Sequence, residues 1–238
     1  MNRLIGKEVF YFESLDSTNE YMLNKAGTLD EGSCVFCDFQ TKGRGRQGRD
    51  WLSLSGKGLY FSFLLKPSIS LEEIPKLTIA VGVGISKALD SLGINTMIKW
   101  PNDIYLNGKK LSGILSELKI LDGEANVVVG VGLNIAHDRS DFPDDISNKA
   151  TSLLIETGEN FNKGNLLDIL LDFIDREYTY FLTKGVDFDY LSKKDFLFGK
   201  KARYLGKDVI IRGISKDCSL LIEDDRGVRG IEGGEIEF

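Results

Sequence analysis

The chain has 238 residues, of which 42% are hydrophobic and 28% are charged, and its formal net charge at pH 7 is -6. These values are typical of a globular protein with one larger domain and room for a small second one, and the acidic balance argues against a protein that binds nucleic acid over its whole surface. The first residues lack a long apolar segment and no apolar run reaches the ~18 residues of a membrane span, so we expect neither a signal peptide nor a membrane anchor.

The three cysteines, Cys34, Cys37 and Cys218, are an odd number in a chain that is not small, which predicts free thiols. Cys34 and Cys37 form a C-x-x-C within a strand-like run, where this spacing directs the two side chains to opposite faces. No second pair of Cys or His completes a zinc site. We therefore expect structural thiols in a reducing compartment, the cytoplasm.

The chain begins with a predicted strand, Glu8–Leu15, and a helix that runs to about Ala26. Ser17 followed by a glutamate three residues later is typical of a capping box. Ser17 and Thr18 can therefore serve the helix alone, or they can also hold the polar head of a ligand at its N-terminus. A second strand, Ser33–Gln40, follows.

A basic, glycine-rich loop, Gln40–Trp51, connects this strand to a third one over Gly58–Leu65. The loop carries these cations and glycines: Lys42, Arg44, Arg46, Arg49, Gly43, Gly45 and Gly48. Glycine allows a close approach of the backbone to a ligand, and arginine matches phosphate and carboxylate oxygens. The G-x-G-x-x-G spacing is not a dinucleotide site, because no amphipathic helix and no acidic residue about twenty positions on follow it. We predict that the loop closes over an anion; the alternative is a solvated surface loop.

A long helix is predicted over Leu71–Leu92, ending at Gly93. Its apolar stripe consists of Ile74, Leu77, Val81, Ile85, Ala88 and Leu92. Gly82 and Gly84 weaken the helix locally, and we expect them to permit close packing.

The second informative stretch is Met97–Leu106, a short strand that must bend at Pro101 and there projects Asn102 and Asp103. An Asn-Gly hairpin turn at residues 107–108 then leads to a return strand, Lys109–Glu117.

A turn at Asp122-Gly123 precedes a strand over Asn126–Asn134. Gly130 and Gly132 leave one surface of that strand bare, which often marks the close approach of a ligand. The single histidine, His137, follows in a predicted loop, and we expect it on the solvated surface.

The last part of the core contains a loop over Pro143–Ser152, a helix over Asn165–Leu182 and a shorter helical piece over Phe188–Phe196. From about residue 199, five short apolar runs separated by glycine-containing turns predict a small β-barrel; they are Lys201–Tyr204, Asp208–Ile214, Ser219–Glu223, Val228–Ile231 and Glu235–Phe238. We therefore predict a catalytic core over residues 1–196 and a barrel over residues 197–238.

The chain resembles the biotin protein ligases in six segments that occur in that family's order. They are Asp16-Ser-Thr-Asn, Gln40-Thr-x-Gly-Arg-Gly-Arg-x-Gly-Arg-x-Trp51, Lys99-Trp-Pro-Asn-Asp103, Lys110-Leu-x-Gly-Ile-Leu115 with Glu117, Gly130-x-Gly132-x-Asn134 and Gly233-Gly234-Glu235-Ile236. The resemblance implies an α+β fold, a mixed central β-sheet flanked by helices like that of class II aminoacyl-tRNA synthetases, with a small SH3-like barrel after it. Some members carry a winged-helix DNA-binding domain before this core; the sequence has no such pattern, so we expect a ligase that does not bind DNA.

The resemblance implies an enzyme that joins biotin and ATP with Mg²⁺ into biotinyl-5′-AMP and then acylates one lysine of a biotin carboxyl carrier protein of a biotin-dependent carboxylase. It places these residues at biotin: Ser17, Thr18, Asn19, Gln40, Gly43, Arg44, Gly45, Arg46, Tyr60, Lys110, Gly113, Leu115, Gly130 and Gly132. It places these at ATP or the adenylate: Arg44, Arg46, Arg49, Trp51, Lys99, Asn102 and Asn134. No metal ligand is assigned, and family members can form homodimers, an oligomeric state that the sequence leaves open.

The chemistry requires fixed cations, because a carboxylate must approach the negatively charged α-phosphate of ATP. Arg46 and Lys110 are the candidates for this catalytic role, and we expect Lys110 to meet the carboxylate end of biotin. Asp103 can act as a base toward the acceptor lysine, contact the metal, or only cap the turn after Pro101.

Two other classes of protein compete with this interpretation. Lipoate and octanoate ligases share the fold but lack the Gly-Arg-Gly-Arg loop and the Lys-Trp-Pro-Asn-Asp run. A nucleic-acid-binding module built on the arginine loop is disfavoured by the acidic total and by the shortness of the basic patch.

Overall fold

The computed structural model describes residues 3–234 and 236–237, and these form two sheets with helices packed against the larger one. The larger sheet is mixed and has the order β1-β2-β3-β7-β6-β5-β4. Its strands are β1 Val9–Leu15, β2 Cys34–Gln40, β3 Gly58–Leu65, β4 Met97–Lys99, β5 Asp103–Leu106, β6 Lys109–Leu121 and β7 Glu124–Asn134. The helices are α1 Thr18–Lys25, α2 Ile74–Ser91, α3 Leu153–Thr157, α4 Lys163–Lys184 and α5 Phe188–Lys193.

The sheet is covered on both faces because its strands alternate two sets of apolar side chains. Phe61 and Phe63 of β3 belong to the core beneath α2 and α4, whereas Leu64 packs with Met22 of α1 on the other face. Only β1 and β2 run parallel, and α1 makes the connection between them; the remaining neighbours are antiparallel. The predicted mixed sheet flanked by helices is therefore confirmed.

Helices α2 and α4 approach closely at Gly84. A Cβ at this position would lie 2.9 Å from the Cα of Ile174, so the prediction that a glycine here permits close packing is confirmed. The predicted stripe of α2 is buried except at its end: Leu92 is 38% exposed, because the helix already stops at Ser91 and Gly93 turns away with a φ of 79°.

The C-terminal strands form a separate five-stranded antiparallel sheet with the order β11-β10-β9-β8-β12. They are β8 Lys201–Tyr204, β9 Lys207–Ile214, β10 Leu220–Asp224, β11 Gly227–Ile231 and β12 Ile236–Glu237; Glu235 and Phe238 of the predicted last strand lie outside the described residues. This sheet contacts the larger domain through the indole of Trp100, which donates to the carbonyl oxygen of Cys218 at 2.9 Å. Across the described ranges, no helix combines the length and the apolar character that a membrane crossing needs.

Candidate active site

A cleft of about 200 Å³ lies where the N-terminus of α1, the Gln40–Trp51 loop, the β4–β5 bend and the glycine-bearing strands β6 and β7 meet. Most of the residues predicted from the sequence line it together: Ser17, Thr18, Asn19, Gln40, Arg44, Gly45, Arg46, Arg49, Trp51, Lys99, Asn102, Asp103, Lys110, Gly113, Leu115, Gly130 and Gly132. Segments that are distant in the chain thus form one site.

Three predicted residues do not line this cleft, and each has a structural task nearby. Tyr60 is fully buried; its hydroxyl accepts a hydrogen bond from the backbone N–H of Leu54 at 2.9 Å, and burial raises its pKa to about 12. Asn134 donates to the carbonyl oxygen of Thr151 at 2.9 Å. A Cβ on Gly43 would lie 2.5 Å from a backbone oxygen of the loop, so glycine is needed there for the loop to fold. Contacts of these three residues with biotin or ATP stay predictions.

The basic loop is folded back on itself at the mouth of the cleft. Gly45 donates its N–H to the carbonyl oxygen of Arg49 at 2.7 Å, and Trp51 donates to that of Gly43 at 2.9 Å. The turn between them requires a positive φ at Gln47 (57°) and at Gly48 (73°). This closed backbone directs Arg44, Arg46 and Arg49 around one opening instead of along an extended surface.

The glycines of β6 and β7 make room for side chains of the protein itself. A Cβ on Gly132 would lie 2.4 Å from Cε2 of the Trp51 ring, and one on Gly113 would lie 2.9 Å from Cζ3 of the same ring. A Cβ on Gly130 would lie 1.9 Å from Oδ1 of Asn19. The sequence predicts the close approach of a ligand at this strand surface; in this structure the approaching groups are an indole and an amide, and contact with a ligand stays a prediction.

Three cations of the cleft, Arg44, Arg46 and Lys110, each contact a neighbouring side-chain oxygen. Lys110 Nζ lies 2.8 Å from Asp103 Oδ1, and since that oxygen receives no hydrogen bond from the described residues, the contact is ionic. The same ammonium lies 5.5 Å from the centre of the Trp51 ring. Arg46 Nη1 donates to Asn102 Oδ1 at 2.9 Å. Asp103 therefore contacts a candidate catalytic lysine, and its role as base, metal contact or turn cap stays a prediction.

Around the start of α1 the cleft is lined mainly by neutral polar groups, with Arg44 beside them. Ser17 caps α1 by accepting from the N–H of Glu20, so its predicted capping function is confirmed. The N–H of Thr18 donates to Gln40 Oε1 at 2.9 Å, and Gln40 Nε2 donates to Ser53 Oγ at 3.1 Å. The cleft thus combines neutral hydrogen-bonding groups, cations and an aromatic ring.

Sequence reasoning missed several lining residues because they carry no distinctive chemistry in isolation. These are Gln47, Asp50, Trp100, Pro101, Ile114, Val131, Gly234 and Ile236. Five of them belong to segments of the resemblance, which was the available indication; they are Trp100, Pro101, Ile114, Gly234 and Ile236.

The expectation for His137 was wrong, because the imidazole is completely buried. Its ring stacks on that of Phe142 with 5.2 Å between centroids, and neither nitrogen has a hydrogen-bond partner among the described residues. Burial, the largest influence, lowers the pKa of His137 to about 4, so the side chain is neutral and packs as an aromatic group. The described parts of the chain also contain no cluster of three His, Cys, Asp or Glu that could hold a metal ion.

Comparisons with known proteins agree with this geometry. Residues 11–134 match the biotin/lipoate A/B protein ligase family. The chain is 33% identical to the bifunctional ligase/repressor BirA of Bacillus subtilis (strain 168), over 99% of the chain and 75% of that protein. It is 28% identical to the biotin–[acetyl-CoA-carboxylase] ligase of Paracoccus denitrificans, over 94% of the chain and 97% of that protein. A solved structure of the biotin protein ligase from Aquifex aeolicus in complex with biotin and ATP superposes with a TM-score of 0.86 at 32% identity, covering 97% of this chain and 98% of that one.

Proposed function

The chain belongs to the biotin/lipoate A/B protein ligase family, and from this premise we propose that it is an ATP-dependent biotin protein ligase. The observation that carries the proposal is a single cleft that holds neutral hydrogen-bonding groups, Thr18 and Gln40, together with the cations Lys110 and Arg46. Biotin has the matching combination, because its ureido ring is uncharged and its valeryl chain ends in a carboxylate. The Aquifex aeolicus ligase, which binds biotin and ATP, supports the assignment of both ligands.

The first step joins two anions. A biotin carboxylate oxygen attacks the α-phosphorus of ATP, the bond to the bridging oxygen of the β-phosphate breaks, and pyrophosphate leaves while biotinyl-5′-AMP forms. Lys110 and Arg46 flank the proposed meeting point, where they would neutralise the carboxylate and the α-phosphate. Mg²⁺ enters as part of the nucleotide substrate. Arg44, Arg49 and Lys99 add positive charge around the polyphosphate.

The second step transfers the biotinyl group to an amine. The neutral ε-amine of a lysine on the acceptor attacks the acyl carbon, the bond to the phosphate oxygen breaks, AMP leaves, and the nitrogen releases one proton to a base or to solvent as the amide forms. The Paracoccus denitrificans relative supports a biotin carboxyl carrier protein of a biotin-dependent carboxylase as the acceptor. Asp103 lies at the cleft, where its carboxylate can attract the incoming ammonium and hold Lys110 at once. We propose a cytoplasmic location, because all three thiols are free and buried.

A lipoate or octanoate ligase is the nearest alternative, and the neutral polar groups of the cleft argue against it. An octanoyl chain offers no hydrogen-bonding head, so the hydrogen-bonding capacity that Thr18 and Gln40 do not use within the protein would be buried against it unused, at a cost of about 1–3 kcal/mol for each group. Biotin supplies donors and an acceptor to the same groups.

The decisive experiment is ATP–pyrophosphate exchange measured with biotin, lipoate and octanoate in parallel. We expect exchange that depends on biotin and is at least about a hundredfold faster than with either fatty acid, in line with the cost of two unpaired polar groups. Exchange that lipoate or octanoate supports equally well would refute the assignment.

A further inference from the structure

Glu117 is part of the resemblance, yet neither step of the proposed reaction uses it. Its carboxylate oxygen Oε2 accepts one hydrogen bond from Asn19 Nδ2 at 2.8 Å and another from Arg44 Nη2 at 3.1 Å. The side chain is 26% exposed and lies beside the cleft without lining it. One carboxylate therefore connects the basic loop with the start of α1.

The orientation of the Asn19 amide follows from its acceptors. Nδ2 faces two groups that can only accept, Glu117 Oε2 and the carbonyl oxygen of Leu115, the latter at 3.1 Å. Oδ1 must then face Ser62, whose Oγ lies 2.6 Å away. Since an amide oxygen cannot donate, the single hydroxyl proton of Ser62 is committed to Asn19.

The same reasoning fixes the hydroxyl of Thr18. Its Oγ1 lies 2.7 Å from Ser62 Oγ, and Ser62 has no second proton, so Thr18 is the donor in this contact. The other acceptor within reach, Gln40 Oε1, is farther away at 3.1 Å and already receives the N–H of Thr18. Thr18 Oγ1 consequently offers only lone pairs to the cleft that it lines.

We propose that Glu117 is a positioning residue that sets the direction of this buried chain of hydrogen bonds, and thereby makes Thr18 an acceptor selective for an N–H group of the ligand. The inference rests on the proposed function, since biotin supplies the N–H. Glu117 also holds Arg44, so recognition of the ureido ring and placement of the basic loop depend on the same carboxylate.

The test is isothermal titration of the full chain with biotin and with its two carbamate analogues, each of which has one ring N–H replaced by oxygen. The variants are Ser62→Ala, Glu117→Met and Glu117→Gln. In the unaltered protein we expect one analogue to bind about tenfold or more weakly than biotin, because its oxygen would face the lone pairs of Thr18. Ser62→Ala removes one acceptor of the Thr18 proton, which can then turn to the ligand or to Gln40 Oε1, and it should lower the ratio of the analogue Kd to the biotin Kd by up to about tenfold. Glu117→Met should lower this ratio about threefold. Glu117→Gln retains an acceptor oxygen and should leave this ratio unchanged.

The change in the ratio of the analogue Kd to the biotin Kd distinguishes a positioning role from a general structural role. If Glu117→Met and Ser62→Ala weaken biotin and both analogues by one common factor, the residues only support the fold and the inference is overturned. An unaltered protein that binds biotin without preferring it to either analogue also overturns the inference but leaves the proposed function standing. The absence of any biotin binding would refute both the inference and the proposed function. Should Glu117→Met fail to fold, Ser62→Ala tests the same chain of hydrogen bonds from its other end.

Discussion

Gly132→Ala should displace the tryptophan that lies across the cleft. The new Cβ would lie 2.4 Å from Cε2 and 2.5 Å from Nε1 of Trp51, whereas ordinary carbon–carbon contacts are about 3.5–4.0 Å. The indole must therefore move by about 1 Å or more. Because the backbone N–H of Trp51 closes the basic loop by donating to the carbonyl oxygen of Gly43, we expect the arginines of the loop to move with it. Overpacking of this kind costs about 1–3 kcal/mol. We expect biotin-dependent pyrophosphate exchange to fall at least about tenfold, with a shift in tryptophan emission.

The matched control is Gly27→Ala, where the added Cβ would meet Leu121 at an ordinary 3.5 Å and far from the cleft. Both variants add one methyl group outside a helix, so they differ mainly in what that group touches. Exchange activity and emission that stay at the unaltered level in Gly132→Ala would refute the argument that the glycine exists to admit the indole. Loss of activity in Gly27→Ala would equally show that a general instability is being measured.

Three further predictions concern single side chains. Asp103→Asn removes the negative charge beside Lys110, so pyrophosphate exchange should fall about tenfold while the melting temperature changes little; an unchanged exchange rate with slower transfer to the acceptor would assign Asp103 to the second step instead. The pKa of His137 is about 4 in the folded chain and about 6.5 in the unfolded chain, so as the pH falls the unfolded chain takes up the proton before the folded one. The stability that neutral His137 contributes is therefore complete above about pH 6.5 and is lost as the pH falls toward 4. Thermal unfolding between pH 7 and 4.5 should show this loss, up to about 3 kcal/mol, and it should be absent in His137→Phe. Gly84→Ala should lower the melting temperature, since its Cβ would press on the backbone of α4, whereas Gly82→Ala on the same helix meets only ordinary contacts and should leave it equal or higher; the reverse order would contradict the packing.

Local structure can be predicted from the sequence where a residue type strongly favours one backbone geometry. The turn at Asn107-Gly108 has positive φ angles of 48° and 81°, as the Asn-Gly pair predicts, and the helix that follows Ser17 begins at Thr18. The short helix Leu153–Thr157 was missed because five residues give no visible periodicity.

Burial was harder to predict where it depends on tertiary partners. His137 follows a strand in a polar stretch, and nothing beside it in the sequence indicates that Phe142 will cover its ring. The candidate site was largely predictable because its arginines and glycines occur in dense, ordered motifs. The direction of the Asn19–Ser62–Thr18 hydrogen bonds was not, because Ser62 is an ordinary strand residue until its neighbours are known.

Gly234 and Ile236, near the C-terminus, line the cleft, and this has a practical consequence for handling the protein. An affinity handle attached after residue 238 begins three positions beyond Ile236, which is a lining residue of the cleft. Arg3, by contrast, forms an ion pair of 2.7 Å with Asp168 of α4, and neither residue lines the cleft. Fusions and immobilisation should therefore be made at the amino end.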